Sequence, residues 1–283
     1  MKIAIIGDAS RTLAWENHLR PHNIVKEVIL SPSINGIQKA DACLLLDDTS
    51  QNLEHLLATI QKGIHTFFIS KLPLNVEKLE RVQRVAREAN VEIQFSHWPS
   101  LSSATQLMTD LIDRPSLVNI VREVNHTLIV ESSSDFKHFW VDEVGFCLRI
   151  MNSGIHHIEA KQVSLENKEP VAIQIFIRFD NGGTASIYIN IGAIENNHHR
   201  FVANSNGIIE CDVHKQLIRD GRIGSGNKLF FKKEEFDPSK SAEKAALQFL
   251  KAIQLNKEPT FTIHHLLQLA RASKKIDARL KQF

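Results

Sequence analysis

Asp41-Ala42-Cys43-Leu44-Leu45-Leu46 and, further on, Gly63-Ile64-His65-Thr66-Phe67-Phe68-Ile69-Ser70-Lys71-Leu72-Pro73-Leu74 are the two stretches that decide the fold. Each carries a short run that is apolar almost throughout, and residues 51–62 between them have a helical pattern. Runs of this kind read as strands buried on both faces, because a strand with one wet face alternates instead. Working outward, Ile3 to Ile6 is a run of the same type, residues 9–20 can form a helix, and Ile24 to Leu30 reads as a second strand. Downstream, residues 75–89 place Val76, Leu79, Val82 and Val85 at helical spacing, and Glu92 to Ser96 reads as a fifth strand. Repeated β-α alternation predicts an α/β domain, a Rossmann-type doubly wound parallel sheet with helices on both faces.

The second half has another character. A helix is expected over about 141–160, followed by strands over 172–179, 184–191, 201–203, 208–211 and 216–218. Ile173, Ile175 and Ile177 alternate with Gln174, Phe176 and Arg178, the period of a strand with two different faces. Asp180-Asn181-Gly182-Gly183 is a strong hairpin turn. Helices are expected near 240–255 and 262–281, giving a C-terminal α+β domain with a mainly antiparallel sheet. A chain of 283 residues is long for one domain. The boundary is expected near Asp113-Arg114-Pro115, with a dinucleotide-binding domain over 1–114 and a substrate and oligomerisation domain over 115–283.

The formal charge of +2 is concentrated in no basic run, which argues against nucleic acid or a membrane surface as partner. No apolar stretch approaches the roughly 20 residues that span a bilayer. The first apolar run is too short for a secretion signal. The three cysteines, Cys43, Cys147 and Cys211, form no CxxC pair, which fits a reducing compartment and, with the rest, a cytoplasmic protein. The pairs His156-His157, His198-His199 and His264-His265 invite a metal reading, but adjacent side chains diverge and no His-Glu-x-x-His or cysteine cluster accompanies them. No metal is expected.

Taken in order, the stretch from Asp41 to Phe95, the segment Asn152-Ser153-Gly154-Ile155-His156-His157-Ile158-Glu159, the hairpin Phe179 to Thr184 and the turn Asn206-Gly207-Ile208-Ile209-Glu210 resemble the glucose–fructose oxidoreductase / inositol dehydrogenase / rhizopine catabolism family, Gfo/Idh/MocA. The resemblance covers nearly the whole chain. It implies NAD or NADP on the first domain, a small sugar- or polyol-like substrate on the second, and hydride transfer between a carbinol carbon and the nicotinamide while a protein group handles the hydroxyl proton. Lys71 matches the lysine of the family's Glu-Lys-Pro signature, although Ser70 replaces the glutamate and the proline stands at Pro73. His156 matches the family's catalytic or substrate-positioning histidine, with His157 as the alternative if the register shifts. Asn152 stands where the family has an aspartate. It can orient a hydroxyl but cannot accept its proton.

The cofactor loop departs furthest. A dinucleotide fold expects G-x-G-x-x-G after its first strand. Here the run is Gly7-Asp8-Ala9-Ser10-Arg11-Thr12. The first glycine remains, Ala9 and Thr12 add bulk, Asp8 adds a charge that repels phosphate, and Ser10 and Arg11 are possible helpers. The second strand ends at Ser31-Pro32-Ser33 with no acid for the adenosine ribose, leaving Ser31 or Ser33 to bond a hydroxyl. Where the family has Thr-Pro-x-x-x-His, a gapless count gives Asp47-Asp48-Thr49-Ser50-Gln51-Asn52, with Asp48 or Thr49 also suited to cap the following helix. The expected cofactor contacts are therefore Gly7, Asp8, Ala9, Ser10, Arg11, Ser31, Asp47, Thr49 and Asn52. Two readings stay open: an NAD(P)-dependent oxidoreductase, and a catalytically inactive relative that binds a ligand or a partner subunit. A homodimer through an exposed face of the second sheet is also expected.

Overall fold

The first unit is built on five short strands: Lys2–Ile6 (β1), Glu27–Ser31 (β2), Ala42–Leu46 (β3), His65–Ile69 (β4) and Ile93–Phe95 (β5). They form one sheet in the order β2-β1-β3-β4-β5, with every neighbouring pair parallel. The chain runs from β1 to β2 on one side, then crosses to β3 on the other, so the order reverses between β1 and β3. Helices Ala9–Leu19 (α1), Asn52–Gln61 (α2) and Val76–Ala89 (α3) connect the strands, with short Trp98–Leu101 (α4) after β5. The computed structural model from which this description is taken describes residues 1–37, 39–125, 136–165, 170–224, 226 and 228–281.

β3 is buried at all five positions, as its continuous apolar run requires. Ile3, Ile5, Leu44, Leu46, Phe67 and Ile69 pack into one cluster with Ala245, Ala246, Phe249 and Leu250 of a late helix, Ser241–Gln254 (α7). That packing explains how the chain divides. One compact unit is Met1–Leu101 with Ser239–Ala270, and the other is Ser102–Pro238 with Arg271–Phe283. This differs from a single cut after residue 114, because α7 hides its apolar stripe on the first sheet. The last helix, Ile263–Leu280 (α8), spans the division at residue 270.

The second unit opens with Ser103–Leu111 (α5) and Leu117–Asn125 (β6) and continues with Phe136–Met151 (α6). Seven strands follow: Ile155–Ser164 (β7), Pro170–Phe179 (β8), Thr184–Ala193 (β9), Asn197–Asn204 (β10), Gly207–Asp212 (β11), Leu217–Ile223 (β12) and Leu229–Glu235 (β13). They join β6 in a sheet ordered β13-β12-β11-β10-β6-β9-β8-β7. β6 and β9 pair parallel, and the other pairs are antiparallel. Ile173, Ile175, Ile177, Ile187 and Ile189 are buried on one face, and α6 packs against β8 and β9.

A helix over 141–160 is corrected by the structure. α6 ends at Met151, where Asn152 takes a left-handed φ of 43°, and a strand starts at Ile155. Asparagine is among the few residues that accept this conformation, which stops a helix. Asn152 and His156 therefore do not share a helical face. Among the described residues no helix is long and apolar enough to cross a membrane.

Candidate functional site

In an open parallel sheet, loops at the carboxyl ends of two strands part where the strand order reverses, and the gap is the usual ligand seat. A cavity of about 790 Å³ lies at that place, at the ends of β1 and β3. Gly7, Asp8 and Arg11 line it from the loop after β1, and Pro32 to Asn35 from the loop after β2. Asp47, Asp48 and Thr49 line it after β3, and His55 and Ala58 from α2. Gly7 has φ of 153°, and a Cβ there would stand 2.9 Å from both the Cβ and the carbonyl oxygen of Leu46. The surviving glycine is needed for the turn itself.

Of the expected cofactor contacts, Gly7, Asp8, Arg11, Asp47 and Thr49 are on this wall; Ala9, Ser10, Ser31 and Asn52 are not. The Ser31 hydroxyl donates to the carbonyl of Ser33 at 2.7 Å, so it is engaged in its own turn. Asn52 donates to the Ser70 hydroxyl at 3.0 Å. Two positions that depart from the family pattern thus touch each other.

Each acid on the wall has a partner. Asp8 caps α1, accepting the Arg11 amide at 3.0 Å and the Ser10 hydroxyl at 2.7 Å, which holds its carboxyl below the ordinary value. Asp48 meets the Arg11 guanidinium at 2.8 Å. Asp47 is buried, accepts the Thr49 amide at 2.9 Å and contacts Nδ1 of His55 at 2.6 Å. Burial pushes the Asp47 carboxyl up, but these hydrogen bonds outweigh it and leave the group below the usual carboxylate range. His55 and Asn35 are polar wall residues not named among the expected contacts, and of these His55 carries a signal in the sequence. That signal is an Asp that follows a strand and a His one turn into the next helix.

The expected hydroxyl-handling residues fall on both units. Lys71 is exposed, two residues beyond the carboxyl end of β4. The preceding Ser70 is pinned to Ser96, whose hydroxyl accepts the Ser70 amide at 3.1 Å and donates to its carbonyl at 2.9 Å. In the second unit, Asn152 terminates α6 and His156 is exposed near the start of β7, where pairing with β8 slips by one residue. That slip leaves His156 and His157 both exposed, and His157 lies 3.2 Å from Glu159. The carboxylate near His156 comes from the hairpin, with Asp180 Oδ1 at 3.6 Å from Nδ1. The hairpin is stitched to this segment: the Asp180 amide donates to the Gly154 carbonyl at 2.9 Å, and a Cβ on Gly154 would meet Asp180 Oδ2 at 2.2 Å.

The second unit also buries a charged network. Glu143 of α6 accepts two bonds from Arg200 at 2.9 and 3.0 Å and lies 3.0 Å from His198 Nε2. Arg200 also donates to Thr105 at 3.0 Å. Burial would raise the Glu143 carboxyl, but Arg200 and His198 hold it well below its ordinary value. The cysteines are buried and free, and burial pushes Cys43 up to about 12 and Cys211 to about 11, so neither supplies a thiolate near neutral pH. Among the described residues no group of three or more His, Cys, Asp or Glu is placed to hold a metal.

The sequence matches no protein-family model and no curated protein sequence. Its fold matches solved dehydrogenases over nearly their full length. A UDP-N-acetylglucosamine 3-dehydrogenase from Acidithiobacillus ferrooxidans superposes with a TM-score of 0.80 at 13% identity, covering 100% of this chain and 98% of the other. An NAD binding oxidoreductase from Klebsiella pneumoniae gives 0.80 at 14%, covering 99% and 96%. A scyllo-inositol dehydrogenase from Lactobacillus casei gives 0.73 at 14%, covering 100% and 96%. At these identities the likeness is one of fold.

Proposed function

We propose that this chain is an NAD(P)-dependent oxidoreductase of the Gfo/Idh/MocA type, moving a hydride to or from a sugar- or polyol-like substrate. The observation that carries the reading is the open cavity at the strand-order reversal, on whose wall every carboxylate is already matched by a partner of the chain itself. Asp48 has its charge offset by the Arg11 guanidinium, while Asp8 and Asp47 are bonded within the chain and stay ionised. For a dinucleotide cofactor Arg11 is the cation on the wall that a phosphate would draw on, and Gly7 holds the loop clear. Ser33, Asn35 and Thr49 offer further polar contacts. The fold likeness to solved sugar and inositol dehydrogenases supports the same reading.

The nicotinamide, when bound, supplies or receives the hydride. To the chain's own residues we assign the hydroxyl proton. In the first unit the candidate for its exchange is Lys71, at the carboxyl edge of the sheet; in the second the candidates are His156, with Asp180 beside it, as a proton group and Asn152 to orient a hydroxyl. The test is titration with NADH and NADPH, following nicotinamide fluorescence and melting temperature together. We expect micromolar binding of at least one, followed by polyol-dependent turnover that Lys71→Ala abolishes without loss of cofactor binding. No binding of either up to millimolar concentration would sink the reading.

One observation favours a second reading, a non-catalytic ligand-binding relative. The amide at the start of α1, the natural anion seat of a dinucleotide fold, is taken by the carboxylate of Asp8. Binding of an uncharged polyol, with no binding of either dinucleotide, is the outcome that reading predicts.

A further inference from the structure

We propose that His55, held by the buried carboxylate of Asp47, is the acceptor for a ribose hydroxyl in the β1–β3 cavity, standing in for the acid that the end of β2 lacks. This rests on the dinucleotide reading and adds to it a residue that fixes which part of the cofactor the cavity holds.

The geometry begins with Asp47. Its side chain is 7% exposed, and its two oxygens are divided between the Thr49 amide and His55 Nδ1. An ionised carboxylate can only accept, so the 2.6 Å contact places a proton on Nδ1. In the neutral ring Nε2 is then a lone-pair acceptor. Among the described residues Nε2 makes no hydrogen bond. The ring is half exposed and lines the cavity, so its one uncommitted polar atom is available to a ligand. A buried acid fixing the tautomer of an exposed histidine is the arrangement that gives imidazole a defined acceptor direction.

The surroundings select the ligand group. His55 shares its cavity with Ser33 and Asn35, which follow β2. That loop is fixed against α2, because Lys62 donates to the carbonyls of Ile34 and Ile37 at 2.9 and 3.1 Å. The end of β2 is where dinucleotide folds hold the adenosine ribose with an acid. Three carboxylates, Asp8, Asp47 and Asp48, and one guanidinium, Arg11, line the cavity, and Asp48 already engages Arg11. A wall with surplus acceptors suits hydroxyl groups, which donate, better than a further anion.

The experiment measures dissociation constants for NADH, ADP and 2′-deoxy-ADP by calorimetry, with wild type, His55→Phe, His55→Gln and Asp47→Asn. Melting temperatures verify that each variant is folded. One hydrogen bond to the 2′-hydroxyl should make wild type prefer ADP over 2′-deoxy-ADP by roughly three- to ten-fold. His55→Phe should erase that preference, and His55→Gln, which keeps an acceptor, should retain part of it. Asp47→Asn should weaken it and shift the His55 ring away from the Nδ1–H tautomer in 15N spectra. If wild type binds NADH and the preference survives in His55→Phe, the inference is overturned and the dinucleotide reading stands. If ADP binds with a His55-dependent preference but NADH does not, the inference stands and that reading falls. If neither binds, both fall.

Discussion

Asp8 follows the one glycine that remains in the loop after β1, and it caps a helix from there. Its carboxylate accepts the Arg11 amide and the Ser10 hydroxyl, so one charge both stabilises α1 and opposes an incoming phosphate. The two effects separate by substitution. Asn is as good an N-cap as Asp, so Asp8→Asn should leave the melting temperature nearly unchanged while tightening NADH or NADPH binding several-fold. Asp8→Ala should lower the melting temperature. Fluorescence titration of the two variants checks this, and equal affinity in wild type and Asp8→Asn would mean that the carboxylate never meets the cofactor. Arg11 faces the opposite demand, since a phosphate has to draw its guanidinium from Asp48 at 2.8 Å. The charges of Asp8 and Arg11 were legible in the sequence. Their pairing was not, because Asp48 arrives from another loop.

At the level of elements, what the sequence reveals depends on how deeply each is buried. β3 is apolar throughout and β4 carries the apolar run Phe67 to Ile69, so both show their type in a short window. β7 exposes most of its residues and buries only Ile158 and Ala160, too few to set a period, so it reads as the tail of α6. β13, Leu229–Glu235, has no buried position and left no pattern at all. The α6–β7 junction also decides what Asn152 does. With φ of 43° it ends the helix, a conformation in which an ordinary L-residue costs about 1–2 kcal/mol and Gly nothing comparable. Asn152→Gly should therefore keep stability, whereas Asn152→Ala should lose about 1 kcal/mol in denaturant unfolding. If Asn152 also orients the substrate hydroxyl, Asn152→Gly turnover falls with the fold intact. Unchanged turnover in that variant would confine Asn152 to the helix end.

On the scale of the whole molecule, buried His198 and Asp142 of the second unit move stability in opposite directions with pH. His198 is buried, and desolvation pushes it down to about 4 from an ordinary 6.5 against the pull of Glu143. Between those values the unfolded chain binds the proton and the fold does not, so the His198 contribution falls as pH falls. Asp142 behaves in the opposite sense. Burial pushes its carboxyl up to about 6, with Glu143 adding to the rise and His138 and Arg122 opposing it. From its ordinary 3.8 to about 6 the fold holds the proton and the unfolded chain has released it, so the Asp142 contribution is lost as pH rises. The two windows overlap, so across pH 4–6 the fold keeps a proton on Asp142 that the unfolded chain keeps on a histidine. Their two contributions to wild-type stability should consequently offset each other there. His198→Asn should tilt the profile so that stability declines from pH 4 to 6, and Asp142→Asn should tilt it the other way. Below about pH 4.5 both variants and wild type should lose stability together as Glu143, held well below its ordinary value by Arg200, is forced to protonate. Breaking that buried pair by Arg200→Ala should cost about 3–5 kcal/mol at neutral pH. Calorimetric unfolding across pH 4–7 measures all three slopes. Parallel profiles for wild type and the two tilting variants would show that Asp142 and His198 do not divide the proton in this way.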